Sequence, residues 1–315
     1  MADKALIIGC GRIAGGFNED RDDAVLTHVV AYRQLGVQVV GCCDRDAERA
    51  ARFARRWQIA HHDSDLQKIL SVTQPEIVSV CTPPDARLEI MKTVLAAPSV
   101  RSVLVEKPLA ATGAEAREIQ ALAGQAKRPV LVNFSRALDP FYQKLAAEFQ
   151  RGDFGRFCNG TARYYGGAAV NAVHWLERAL ALFGAPVATR RLSGGDDQPA
   201  FELDFREGRM IFLPTDGCQY SPFELDLLFE KNRVRVIDSE RRVEYFTAQP
   251  DPNFSGYFNL APSPSRPGTA PSHETLLLAV KAALDAASGD APGWRDLLQR
   301  SVTAMEIIEQ VGNTP

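Results

Sequence analysis

The stretch Leu6-Ile7-Ile8-Gly9-Cys10-Gly11-Arg12-Ile13-Ala14 decides the fold. Its apolar start reads as the end of a buried strand, and the chain then turns through G-x-G-x-x-A. Gly9 permits a tight turn, Gly11 lets the backbone approach a pyrophosphate, and Ala14 allows close packing of the helix expected next. The N-terminal amides of that helix are expected to receive the phosphate charge, with Arg12 and Ile13 among the cofactor-binding residues. The next strand, Val37 to Cys43, ends at Asp44, placed to accept hydrogen bonds from an adenosine ribose. Asp44 lies beyond the usual distance of about 20 residues from the glycines, and an insertion, Asn18 to Leu26, is assigned the excess. A carboxylate here repels a 2′-phosphate and favours NAD; Arg45, directly after it, offers that phosphate a partner and makes NADP the alternative.

Working outward, Ala5 to Ile8, Val37 to Cys43, Glu76 to Cys81, Val103 to Val105 and Val130 to Val132 are short apolar runs that read as buried strands. Amphipathic segments lie between them, at Asp46 to Trp57, Asp65 to Leu70, Arg87 to Ala97 and Ala114 to Ala126. This alternation predicts an α/β Rossmann-type, doubly wound parallel sheet over residues 1–133. After Asn133 the pattern changes. Helices are expected at Pro140 to Gln150 and Asn171 to Phe183, and strands at Arg156 to Tyr165, Phe201 to Phe205, Arg209 to Leu213, Phe223 to Glu230, Arg233 to Asp238 and Arg242 to Thr247. Short turns between strands imply an α+β domain over 134–315 with a largely antiparallel open sheet, which would bind substrate and dimerise. Gln249 to Pro271, dense in Pro, Ser, Gly and Asn, reads as an exposed loop, and helices return at Glu274 to Ala287 and Arg295 to Val311.

Composition narrows the function classes. With 36 Lys and Arg against 39 Asp and Glu, the net charge is −3, and no clustered basic surface suggests a nucleic-acid partner. No apolar stretch is long enough to cross a bilayer and the start lacks a signal-peptide pattern, so no membrane partner and a cytoplasmic location are expected. The cysteines form no CxxC pair and no zinc-type spacing with His, so no metal is expected. Cys42 and Cys81, in apolar runs, read as buried thiols.

Cys81-Thr82-Pro83-Pro84 and Val105-Glu106-Lys107-Pro108 each follow a strand and should face one crevice at the carboxyl end of the sheet, with Thr82, Pro83, Glu106 and Lys107 as cofactor neighbours. A lysine beside apolar walls and a cationic nicotinamide loses proton affinity, and suits proton exchange with a substrate hydroxyl. Together the G-x-G-x-x-A turn, Asp44, Thr82-Pro83 and above all Glu106-Lys107-Pro108 resemble the Gfo/Idh/MocA family of nicotinamide-dependent oxidoreductases. The stretches N-F-S-R-A-L-D-P-F-Y from Asn133 and G-G-A-A-V-N-A-V-H-W-L-E from Gly166 extend the resemblance. It implies that Lys107 is the catalytic lysine and His174 the general acid/base histidine. Val170 stands where the family often has Asp, Arg87 where many members have His, and Glu177 in place of a frequent Asp; Asn171 matches an Asn of some members.

Arg136 and Tyr165 join Lys107, Asn171 and His174 as candidate substrate residues. The expected activity is hydride transfer between NAD(P) and a sugar, polyol or sugar derivative by a homo-oligomer. The rival readings are a dinucleotide-binding sensor without turnover and an NAD-dependent glycosidase-type enzyme.

Overall fold

The computed structural model describes residues 4–18, 24–263, 274–289 and 293–312. They fall into two compact units, Met1–Leu138 with His273–Met305, and Asp139–Ser272 with Glu306–Pro315. In the first, β1 (Lys4–Ile8), β2 (Gln38–Cys43), β3 (His61–Asp63), β4 (Ile77–Val80), β5 (Ser102–Val105) and β6 (Val130–Val132) form a parallel sheet ordered β3-β2-β1-β4-β5-β6. Parallel neighbours need crossovers, and helices supply them: α1 (His28–Gln34), α2 (Ala47–Trp57), α3 (Leu66–Thr73), α4 (Arg87–Ala96) and α5 (Gly113–Ala126), followed by the short α6 (Ser135–Leu138). Every residue of β4, β5 and β6 is buried, which is why these strands read as unbroken apolar runs. Helix starts are set by side-chain caps: Asp46 accepts from Arg49 N–H, Asp65 from Lys68 N–H and Thr112 from Glu115 N–H.

The second unit holds α7 (Pro140–Gln150), β7 (Phe157–Tyr164), a π turn at Ala168–Ala172 and α8 (Val173–Phe183). Seven more strands follow: β8 (Ala188–Gly194), β9 (Pro199–Asp204), β10 (Arg209–Pro214), β11 (Glu224–Phe229), β12 (Asn232–Ile237), β13 (Arg242–Pro250) and β14 (Phe258–Pro262). The eight-stranded sheet, β14-β13-β12-β11-β7-β10-β9-β8, is antiparallel except where β7 and β10 run parallel. Aromatic side chains join it to the helices: Phe157 stacks on Phe183 at 3.9 Å and Trp175 on Phe223 at 4.4 Å. The half-buried side chains that alternate with this apolar set pair by charge instead, Arg233 with Asp226 at 2.6 Å and Arg235 with Glu244 at 2.9 Å.

Two helices follow, α9 (Thr275–Ala287) and α10 (Trp294–Gly312). The sequence pattern groups α9 with the second domain; the structure gives it to the first unit. Leu276, Ala279, Val280 and Ala283 are buried in the same core as Ile7, Ile77 and Leu104, and Ser102 Oγ donates to Ala283 O at 2.7 Å. Burying Leu276 and Val280 contributes roughly 1.5–3 kcal/mol apiece.

Other expectations need correction. No helix opens directly behind the Gly-rich turn. Arg12 to Gly15 instead make a wide turn, in which Gly16 N–H reaches Gly11 O and Phe17 N–H reaches Arg12 O, and a short 3-10 helix at Gly16–Asn18 follows. Gly15, not only Ala14, provides the close packing, because a Cβ there would lie 2.4 Å from Trp57 Nε1. Of the insertion, residues 19–23 lie outside the described residues; Asn18 anchors its far side by donating to Ala24 O at 2.6 Å and accepting from Thr27 Oγ1 at 2.8 Å. The expected loop at Gln249 to Pro271 contains strand β14, paired with β13, while 264–271 lie outside the described residues. The helix expected from Asn171 starts as the π turn and becomes α-helical at Val173.

Candidate active site

The carboxyl ends of β1, β2, β4 and β5 open onto a cleft of about 550 Å³, where the strand order reverses direction around β1 and β4. Gly9, Gly11, Ile13, Asp44, Arg45, Thr82, Pro83, Glu106 and Lys107 all line it. Arg12 does not: its guanidinium lies 4.6 Å above the Phe17 ring. Cys81, expected to be buried like Cys42, is half-buried and lines the cleft. Arg49 and Ser64, which carry no motif, line it as well.

The glycines differ in their reasons. Gly9 has φ +88°, and a Cβ there would stand 2.9 Å from the carbonyl carbon of Cys81 and the amide of Thr82, so the turn itself requires glycine. Beyond its two chain neighbours, a Cβ on Gly11 would meet no atom of the described residues within 4 Å. The space beside it belongs to the cleft, which fits a backbone that a pyrophosphate approaches. Asp44 is 7% exposed and oriented by the backbone: Oδ2 accepts from Cys10 N–H at 2.9 Å and Oδ1 from Asp46 N–H at 3.0 Å. Arg49 approaches that carboxylate to 3.6 Å. Thr82 Oγ1 is buried with no hydrogen-bond partner among the described residues, a polar atom that a bound dinucleotide would satisfy. These residues fit NAD or NADP.

Lys107 follows β5 on the cleft wall. Burial pushes its ammonium pKa down to about 8; Glu106 opposes this, and the charges of Arg136 and Arg87 reinforce it. Arg87, the departure from the family's His, is buried and fixes this corner. It donates from Nε and Nη2 to Thr82 O, at 3.0 and 2.6 Å, and from Nη1 to the carbonyls of Glu106 and Pro108. The loops after β4 and β5 are thereby tied together. Glu106 Oε1 accepts from Asn133 Nδ2 at 2.6 Å and lies 2.8 Å from His28 Nε2. Burial alone would raise the Glu106 carboxyl, but His28, Asn133 and Arg87 outweigh it and hold it below the usual carboxylate range.

The remaining candidates belong to the second unit, apart from Arg136, which is half-buried on α6 in the first. His174, on α8, is 8% exposed and meets the Phe223 ring edge-on at 6.2 Å. Asn171 donates from Nδ2 to Tyr165 O at 2.6 Å, and the Tyr165 ring contacts Phe223 at 6.4 Å. Tyr164, the neighbour of Tyr165 at the end of β7, is buried and donates its hydroxyl to Pro199 O. Val170 is 52% exposed, so the missing carboxylate leaves an apolar surface position, whereas Glu177 is fully buried and paired with Arg178.

Residues 4–134 match the family model described as "Oxidoreductase family, NAD-binding Rossmann fold", named GFO_IDH_MocA. On these residues the chain is similar to the Gfo/Idh/MocA family of oxidoreductases, whose model is described as NAD-binding. It is 26% identical over 262 residues to a D-apiose dehydrogenase of Paraburkholderia graminis, covering 75% of this chain and 66% of the relative. It is 30% identical over 172 residues to an inositol 2-dehydrogenase of Salmonella paratyphi B, covering 54% and 48%. The chain thus spans about half to two thirds of the length of these curated relatives. A UDP-N-acetylglucosamine 3-dehydrogenase of Acidithiobacillus ferrooxidans superposes with a TM-score of 0.76 at 16% identity, over 99% of this chain and 97% of that one, which shows the shared fold. Among the described residues no helix is long and apolar enough to cross a membrane.

Proposed function

We propose that the protein is an NAD(P)-dependent dehydrogenase or reductase that interconverts a hydroxyl and a carbonyl on a sugar, polyol or sugar derivative. The observation that carries this reading is Lys107: a half-buried amine, its pKa near 8, on the wall of the cleft that Gly9, Gly11 and Asp44 shape for a dinucleotide. The nicotinamide, when bound, supplies the hydride acceptor or donor. Lys107 Nζ exchanges a proton with the substrate oxygen, because an amine titrating near neutrality can hold or release one at little cost. His174 is proposed as a second acid/base group, and Arg136, Tyr165 and Asn171 as substrate contacts. The names of the relatives, an apiose and an inositol dehydrogenase, support a polyhydroxylated substrate. NAD is proposed over NADP on the strength of Asp44, and a homo-oligomer on the strength of the open eight-stranded sheet.

A panel of sugars, polyols and nucleotide sugars, followed by the absorbance of reduced cofactor, tests this directly. Reduction of NAD with one of them, lost by about 10²–10⁴-fold in Lys107→Met and in His174→Ala while cofactor affinity is kept, is the expected result. Tight NAD binding with no product from any substrate would indicate the sensor, and bond cleavage without net reduced cofactor the glycosidase.

A further inference from the structure

Beneath the cleft, four buried side chains form a line that no sequence motif announces. Tyr32 Oη lies 2.8 Å from Ser79 Oγ, Ser79 Oγ lies 3.0 Å from His28 Nδ1, and His28 Nε2 lies 2.8 Å from Glu106 Oε1. Tyr32, Ser79 and His28 are each 0% exposed, and none of the three lines the cleft. They come from α1 and β4, and they converge on the residue that immediately precedes Lys107.

A carboxylate adjacent in sequence to a half-buried amine has a competing use, which is to turn toward the amine and neutralise it. His28 and Asn133 oppose that turn by engaging the same oxygen, Oε1, from the side of the sheet. We infer that His28 is a positioning residue for Lys107: by holding Glu106 Oε1 beneath the cleft, it keeps the neighbouring carboxylate from closing onto Lys107 Nζ, so that the amine stays presented to the cleft. The chemical use of that presentation rests on the proton-transfer reading of Lys107; the positioning itself does not.

The surroundings of His28 support a lasting donor at Nε2. It faces Ser79 and Cys81 from β4 and its end, Tyr32 from its own helix, and Glu106 from the loop after β5. Burial favours the neutral ring, but Cys81 and Glu106 outweigh it and push the imidazole up to about 10. Lys107 faces Glu106, Arg87 from α4 and Arg136 from α6, two cations that its own charge would repel.

The test is competitive acetylation of the full-length protein with acetic anhydride across a pH series, reading Lys107 by peptide mass spectrometry. Neither cofactor nor substrate is needed. Wild type should show half-maximal labelling near pH 8, and His28→Gln, which keeps an amide donor toward Glu106, should match it. In His28→Leu the midpoint should rise by about one pH unit or more, which is about a tenfold loss of labelling at neutral pH. A folded His28→Leu with the wild-type profile would overturn the inference, as would His28→Gln shifting as far as His28→Leu. Should His28→Leu fail to fold, Asn133→Ala removes the other bond to Oε1 and must show the same upward shift; an unchanged midpoint there also overturns it. A shifted midpoint alongside undiminished turnover in Lys107→Met would leave the positioning role standing and remove the proposed reaction.

Discussion

The backbone N–H of Cys10 donates to Oδ2 of Asp44 at 2.9 Å, tying the Gly-rich turn to the end of the neighbouring strand. The residue proposed to read the ribose therefore also fixes the turn proposed to hold the pyrophosphate, and the two contacts form on one carboxylate.

Asp44→Ala should weaken NAD binding by at least about tenfold and lower stability by about 1–3 kcal/mol, since two backbone N–H groups lose their acceptor. Asp44→Ser should lose NAD affinity and gain NADP affinity, with Arg45 available to the phosphate. Calorimetric titration of both cofactors against both variants checks this; wild type binding NADP more tightly than NAD would reverse the assignment of Asp44.

Gly9→Ala and Gly11→Ala should separate folding from binding. At Gly9 the positive φ and the contacts at 2.9 Å predict a loss of more than about 1 kcal/mol in stability. At Gly11 a Cβ meets no atom of the described residues beyond its chain neighbours, so thermal unfolding should stay near wild type while NAD affinity falls. Equal melting shifts in the two variants would contradict the distinction.

Arg87→Ala leaves the carbonyls of Thr82, Glu106 and Pro108 without their cation and should cost about 3 kcal/mol or more by urea unfolding. Arg87→Lys, with one ammonium in place of a planar fork, should recover only part of that loss. A near-neutral Arg87→Ala would show that the clamp is dispensable.

Lys107 sets a pH dependence whose sign follows from its lowered pKa. Between about pH 8 and 10.5 the unfolded chain holds this proton and the folded protein does not, so stability contributed by this site rises with pH across that window. Below about pH 8 both states are protonated and the burial penalty, at most about 3 kcal/mol, is fully present. Lys107→Met should be more stable than wild type at pH 7, and the difference should shrink toward pH 10.5. A difference that does not change with pH would mean the amine is ordinarily solvated.

The sequence made some of this legible for physical reasons that name themselves residue by residue. Val103, Leu104 and Val105 announce a strand because a parallel sheet covered on both faces buries every position. His61, His62 and Asp63 do not, because β3 is an edge with polar residues exposed or half-exposed. The cleft residues that could be read, Gly9, Asp44, Thr82 and Lys107 among them, follow the carboxyl ends of readable strands, whereas Arg49 on α2 and Ser64 after β3 do not and were missed. His28 was not, since its partner Glu106 lies 78 residues away and nothing local marks a buried imidazole. Arg87 was visible only as a departure from a family pattern; its contacts with three carbonyls explain what a larger cation does there. His174 was nameable through resemblance alone, since its helix has buried residues on every side.

The return of α9 to the first core has a bearing on how the protein is made. The parallel sheet is encoded by a chain that leaves it after residue 138 and comes back at residue 273, with the antiparallel unit spliced between. During synthesis the nucleotide-binding half cannot complete its core until Leu276 and Val280 have left the ribosome, by which time the inserted sheet has already emerged. A fragment cut after Asn133 would carry the whole Gly-rich motif yet leave open the groove those side chains fill, and a chimera seeking to borrow the cofactor site must carry both segments of the divided unit.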